Sequence, residues 1–313
     1  TEALKQVKAA YPDMTMITNG NGGAYFNIIG LDYLGTESPL GCLVLEGGDG
    51  SLQVVNGYET DIFKEMLDYA KQWNELGFFM KDPLNAQDGA FAYLSNGQAF
   101  GTIGQYCTEE VGRSVQEKGN GMELYACQLM PQAYSTTNNV TAMTWCVPAL
   151  SPRKESAVKF LNLLYTDADI ANLLCNGIEG VHYVVTEEGN IDFPEGRDAF
   201  NTGWPSGMGT FWPNITITYP WKPDPADVYQ SWLDSNATCM KSPALGFTFD
   251  PTNVADEISA CSTIVDKYVN SLLLDVGDTE TLYAEFLSDL EAAGMDAIIA
   301  EKQAQLDAWQ SAQ

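Results

Sequence analysis

The residues best placed to do chemistry in this sequence are aromatics set in loops. Tyr25, Phe26, Tyr106, Trp145, Trp204 and Trp212 lie near glycines or at the ends of short extended runs, whereas Trp73 falls on a helical stripe and reads as core. A flat ring can stack on the apolar face of a pyranose, while neighbouring amides and carboxylates take the sugar hydroxyls. Each ring taken singly would serve a core equally well, so the reading rests on the group. Hydrolysis of a glycan would need more, namely an acid buried among such aromatics. Glu179, in Gly177-Ile178-Glu179-Gly180-Val181-His182-Tyr183, is the best candidate for that acid, against the alternative of a solvated loop residue.

Other chemistries find less support. His182 is the single histidine, and a hydrogen-bonded structural role is expected for it rather than that of a base. A Ser-His-Asp triad would have to use it, and no Gly-x-Ser-x-Gly motif accompanies it. Seven scattered cysteines without a CxxC pair and one histidine do not make a zinc site or a disulfide framework. In their apolar surroundings the thiols read as small core residues. Asn19-Gly20-Asn21-Gly22-Gly23 has neither the GxGxxG spacing nor the Lys-Ser/Thr of a phosphate loop. No cofactor and no metal are expected.

Composition narrows the classes further. Forty-two Asp and Glu against fifteen Lys and Arg give a net charge of -27. That balance repels phosphate backbones and anionic membrane surfaces, so no nucleic-acid partner is expected. The 313 residues, 45% of them hydrophobic, suit a globular chain of about two domains. No apolar run approaches the roughly 20 residues that span a bilayer. The opening Thr1-Glu2-Ala3-Leu4-Lys5 has no Met and no leader pattern, so a leader was removed or the sequence begins inside a longer protein.

The elements that must position the loop aromatics follow from periodicity. Residues 2–10 read as a helix and 14–18 as a strand running into the glycine loop before Tyr25. Leu43-Val44-Leu45 and 52–55 flank Gly47-Gly48-Asp49-Gly50 as a hairpin. From Thr60, apolar residues recur at three and four up to Leu76, with Gly77 as the stop. A helix over 86–96 and a strand over 99–103 lead to Gly104-Gln105-Tyr106. Strands are expected at 123–130 and 140–149, then a helix capped by Ser151 with Pro152 in its first turn and the stripe Ala157, Phe160, Leu161, Leu164. A helix over 168–175 and a small hairpin over 184–196 follow. Residues 251–309 read as helical throughout, the last stripe being Ile298, Ile299, Gln303, Leu306 and Trp309. Strands alternating with helices argue an α/β fold with extra helices packed on one lobe.

In this order the elements resemble the extracellular solute-binding proteins of ABC transporters, family 1 type. The likeness lies in the helix ending Trp73-Asn74-Glu75-Leu76-Gly77, the strand Phe100-Gly101-Thr102-Ile103-Gly104-Gln105-Tyr106, and Val147-Pro148-Ala149-Leu150-Ser151-Pro152 before a helix. Gly177 to Tyr183, and Leu245-Gly246-Phe247-Thr248-Phe249-Asp250 with the helices after it, resemble the lipoprotein-type sugar-binding subgroup of Gram-positive gut bacteria and its C-terminal domain of unknown function. The resemblance implies a periplasmic-binding-protein-like two-lobe fold (type II) with a helical C-terminal tail. Residues 1–130 would begin the C-terminal lobe, 131–190 would return to the N-terminal lobe, and 191–313 would complete the C-terminal lobe. It implies that the lipid-modified anchor and the first half-lobe precede Thr1. It carries ligand contacts to Tyr25, Phe26, Gln105, Tyr106, Trp145 and Glu179. It also implies a sugar or oligosaccharide ligand captured by hinge closure, a membrane permease as partner, an extracellular location and a monomer. A glycan hydrolase and a surface interaction module remain the alternatives, the first requiring turnover and the second an exposed apolar patch.

Overall fold

The structure is a computed structural model describing residues 1–18, 30–103, 134–198, 201–204, 213–222 and 224–313. Its contacts sort these residues into two groups. In the first, helix α1 (Glu2–Ala10) leads to strand β1 (Thr15–Ile17). Helix α2 (Asp61–Glu75) begins where the Thr60 hydroxyl accepts from the Phe63 amide at 3.3 Å. It buries Phe63, Met66, Ala70 and Trp73 on one stripe and ends before Gly77, whose φ is +65°. That is the periodicity and the stop read from the sequence. After the short α3 (Ala90–Ser95), β4 (Ala99–Gly101) lies parallel to β1, with Thr15 opposite Ala99 and Ile17 opposite Gly101.

Between them, the expected hairpin over 43–55 takes a different form. Strand β3 (Leu43–Val44) pairs with β2 (Leu31–Asp32), and residues 52–55 meet the strand through a single Cys42–Val55 bridge. Leu31 and Leu43 are both buried, so this pairing is sealed by the core beneath it.

The largest core forms where α2 meets three C-terminal helices. Phe286, fully buried, sits edge-on to Tyr58 at 4.9 Å and against Tyr268 at 5.6 Å. Full burial of such a ring is worth about 2–3 kcal/mol.

The second group lies between two strands that run side by side. Strand β5 (Tyr134–Ser135) pairs in parallel with β8 (Met240–Lys241). Immediately after β5 the chain turns into helix α4 (Thr137–Thr141), because the Thr136 hydroxyl caps the Asn139 amide at 3.2 Å. The strand expected over 140–149 is therefore absent, and residues 139–146 are exposed. Helix α5 (Lys154–Thr166) starts later than expected. Ser151 accepts from the Arg153 amide inside a turn, and no side chain caps the helix itself. Leu164 is buried on the expected stripe, but Phe160 stands 53% exposed. Helix α6 (Ala168–Asn176) and the antiparallel strands β6 (Val184–Val185) and β7 (Ile191–Asp192) complete this part, followed by helix α7 (Val228–Thr238).

Residues beyond 190 pack back onto this second group. The Ile191 amide bonds Pro220 O, the Tyr219 amide bonds Asn172 Oδ1, and Trp221 Nε1 donates to Asn176 Oδ1 at 2.9 Å. Leu150, Val158, Phe160, Leu173, Ile178 and Val181 are all exposed in this group, a concentration of bare apolar surface that the first group does not share.

The chain re-enters the first group at β8 and ends in three helices, α8 (Ala255–Leu273), α9 (Thr279–Ala292) and α10 (Met295–Ser311). Gly294, at φ +101°, makes the turn between the last two. The buried stripe of α10 is Ile298, Lys302 and Leu306, so the lysine occupies the core position that the sequence reading gave to Gln303. No helix of the described residues is long and apolar enough to cross a membrane.

Burial pushes the Cys42 thiol up to about 12 and those of Cys175 and Cys261 to about 11, from an ordinary 9.0. Raised folded-state values mean that the folded chain holds protons the unfolded chain has released, so stability present below pH 9 is lost as pH rises toward 11. Lys302, which burial pushes down to about 7, acts in the opposite sense, but three thiols outweigh one amine. The urea midpoint is expected to fall between pH 8.5 and 10.5, by up to about 1.4 kcal/mol per thiol per pH unit. A flat profile would contradict this burial.

Candidate functional site

Two places in the fold gather the candidate residues. The first is the carboxyl end of the β1–β4 pair. The Thr18 amide donates to Gly101 O at 3.0 Å, and the Thr102 hydroxyl donates to Thr18 O at 2.9 Å. The two strands thus end level and hydrogen-bonded to each other. The segments carrying Tyr25 with Phe26, and Gln105 with Tyr106, begin one and two residues beyond these ends. Those four side chains lie outside the described residues, as do Trp212 and the strand expected over 123–130. Open parallel sheets hold ligands at this end of their strands.

A cavity of about 630 Å³ runs along the same strand pair. Tyr11, Asp13, Met14, Tyr93 and Gln98 line it, near the opposite, amino-terminal ends of β1 and β4. Thr18 also reaches it, 1% exposed and with no hydrogen-bond partner for its hydroxyl. Tyr93 was missed by the sequence reading because it falls among the apolar residues of a short helix.

The second place is the loop after α6. Gly177 takes φ +83° and ψ -142°, a backbone region that side chains other than glycine avoid. The chain then closes on itself: the Ile178 amide donates to His182 Nδ1 at 2.8 Å, and the His182 amide donates to Ile178 O at 2.9 Å. The His182 ring stacks on Trp204 at 5.5 Å, and Trp204 Nε1 donates to Cys175 O at 3.3 Å. His182 is therefore the structural histidine expected, since its Nδ1 lone pair is already used. Trp204 is half-buried and presents part of its ring.

Glu179 stands on the exposed tip of this loop. The buried acid that glycan hydrolysis would require is not found at that position. Trp145 is 37% exposed in the extended stretch after α4. Of the eight candidates, the structure brings Glu179 and Trp204 to one loop cluster and describes Trp145 apart from it in the chain. No group of three His, Cys, Asp or Glu able to hold a metal occurs among the described residues.

Trp221 lies in an irregular stretch over 201–225 that is rich in aromatics, Gly and Pro and also holds Trp204 and Trp212. Trp221 itself is 8% exposed and packs on Phe193 at 4.6 Å, so it belongs to the core of the second group. Its anchor, Asn176, lies 45 residues away in sequence, a pairing that no local pattern announces.

Comparison with known proteins adds three likenesses. Residues 243–311 match a family described as a domain of unknown function, DUF3502. A protein of Streptococcus pneumoniae serotype 4 named carbohydrate ABC transporter substrate-binding protein is 26% identical over 97% of this chain. The chain spans 60% of the length of that relative. Among solved structures, the N-glycan transport solute binding protein NgtS of Streptococcus pneumoniae superposes with a TM-score of 0.78 at 22% identity, over 98% of this chain and 66% of its own. NgtS in complex with Man5GlcNAc gives a TM-score of 0.72 at 22% identity, over 99% and 66%. The fold is thus that of the two-lobe solute-binding proteins, with a helical C-terminal region.

Proposed function

We propose that this chain is the greater part of a substrate-binding component of an ABC importer, capturing a sugar or oligosaccharide by closure of two lobes and delivering it to a membrane permease. The observation that carries the proposal is the level, hydrogen-bonded ending of β1 and β4, from which both aromatic-bearing segments depart. The name of the pneumococcal relative and the glycan bound to NgtS support a carbohydrate ligand. In this reading Tyr25, Phe26, Gln105, Tyr106, Trp145, Glu179, Trp204 and Trp212 are the ligand contacts. Apart from Thr18, the residues named along the cavity beside β1 and β4 lie near the amino-terminal strand ends, so we keep that cavity apart from the proposed cleft.

The lobes follow from the contacts. We assign 1–130 to the C-terminal lobe as the sequence suggested, but extend the returning segment from 190 to about 240, because Tyr219 and Trp221 hydrogen-bond to α6 and Pro220 accepts from Ile191 of β7. The bare apolar surface around Phe160, Leu173 and Val181 is then half of an N-terminal lobe. Its cover would come from polypeptide corresponding to the further length of the relatives. An extracellular location, a lipid anchor on the complete protein and a monomeric state belong to the same proposal.

Trp145→Ala is expected to weaken binding of a mannose–GlcNAc oligosaccharide at least tenfold by calorimetric titration, about 1.4 kcal/mol, the loss of a single well-used aromatic contact. Trp221→Phe, in the core, should leave affinity within about twofold. Equal losses for both would remove Trp145 from the site.

A further inference from the structure

We infer that the C-terminal domain of unknown function, residues 243–311, is a hinge anchor, with Lys302 and Thr36 as positioning residues that fix how the chain leaves one lobe for the other. This rests on the two-lobe closure proposed above. Lys302 is completely buried on α10. Its Nζ donates to Tyr33 O at 2.8 Å, Thr36 Oγ1 at 2.8 Å and Gly41 O at 2.7 Å, so each ammonium proton has an acceptor. The ring of Phe249 lies 5.4 Å from the same nitrogen. All three acceptors sit in one loop whose backbone is unusual. Leu34, Gly35 and Gly41 have φ of +52°, +99° and +76°, and the Asp32 carboxylate holds the Leu34 amide at 3.0 Å. A loop of that shape is kept by what binds it, and here the binder is the lysine.

The loop is in turn tied to both crossing strands. Thr36 O accepts from Asn138 Nδ2 at 3.1 Å, in the first turn of the helix that follows β5. Next to Asn138, the Thr137 hydroxyl accepts from the Gly246 amide at 2.8 Å and donates to Ala244 O at 3.4 Å, just after β8. The Ser242 amide completes the tie by donating to Ser135 O at 2.9 Å. Both described passages between the two groups are therefore fastened to the segment that begins at residue 243 and ends in α10. Gln305 strengthens this framework by pairing with both backbone groups of Asp250, its Oε1 accepting at 2.9 Å and its Nε2 donating at 2.8 Å. Ordinary core packing would explain buried apolar side chains on α10. It does not explain an amine carried into the core to bond the loop that accepts from Asn138.

Amide hydrogen exchange of the 313-residue chain tests this without any ligand. Thr36→Val should speed exchange of residues 134–138 and 242–246 by about tenfold or more while α2, α8 and α9 exchange as before, and Thr36→Ser should restore the slow rates. Asn138→Ala, at a half-buried position that makes no hydrogen bond to the lysine itself, should speed the same two stretches while α2, α8 and α9 stay slow. Unchanged crossing strands in both variants, or faster exchange everywhere at once, would overturn the anchor. Failure of every sugar to bind would refute the proposed function and leave these exchange results standing on their own.

Discussion

Gly177→Ala is expected to cost about 3 kcal/mol or more of stability and to dismantle the loop that carries Glu179. The backbone at φ +83° and ψ -142° is itself unfavourable for any side chain. A methyl group built there would lie 2.4 Å from His182 Nδ1 and 2.9 Å from His182 Cγ, closer than real contacts come, and at a tight 3.0 Å from Trp204 Cγ. His182 cannot retreat without giving up the Ile178 amide, a bond worth about 0.5–1.5 kcal/mol. Trp204 cannot retreat without leaving Cys175 O and the imidazole it stacks on. The midpoint of chemical denaturation should fall accordingly, with the tryptophan fluorescence of the native state altered even before unfolding. A loss below about 0.5 kcal/mol would mean that the loop does not take this shape.

Lys302→Ala should be the most damaging single change in the C-terminal helices, costing about 3–5 kcal/mol. Two effects add. Removing the stem leaves a cavity in a core that touches Gly41 and Val54, since a lysine methylene lies 3.2 Å from where a Gly41 side chain would begin. Removing the ammonium leaves Gly41 O, buried, without its donor. Tyr33 O still receives the Thr36 hydroxyl, so its loss is smaller. Lys302→Met separates the two effects, because it refills the volume and also abolishes the cost of holding a charge out of water. It should cost about 1–2 kcal/mol, visibly less than alanine. A methionine variant as unstable as the alanine variant would show that the three hydrogen bonds, and not the packing, dominate.

How far the sequence foretold this molecule depends on the range of the interactions involved. Helix α2 was legible from Thr60 to Gly77 because cap, stripe and stop are all local. The same holds for the three C-terminal helices and the turn at Gly294. Residues 140–149 read as a strand from their apolar run, but the Thr136 cap starts a helix that takes 140 and 141, and 142–149 form turns and irregular backbone. The stripe of α10 carried its own signal: Ile298, Lys302 and Leu306 recur at intervals of four, and only the habit of sending lysine to the surface hid it. The acceptors that permit its burial come from residues 33–41, more than 260 positions away, and no local pattern encodes them. Of the candidate site, the stacking of Trp204 on His182 and the level, hydrogen-bonded ending of β1 and β4 required the fold. Glu179 stands exposed at the tip of its loop, not buried among aromatics as acid catalysis would require.

The central claim is capture of a carbohydrate without chemical change. It is tested most directly by a thermal-shift titration of the complete protein against mono- and oligosaccharides, with the sugar recovered and analysed afterwards. The account predicts a saturable rise in the midpoint for one class of sugar, equivalent to about 2.7 kcal/mol at a hundredfold excess over the dissociation constant, with the sugar returned intact after hours of incubation. Cleavage products in the recovered sugar, or no shift with any carbohydrate, would contradict it.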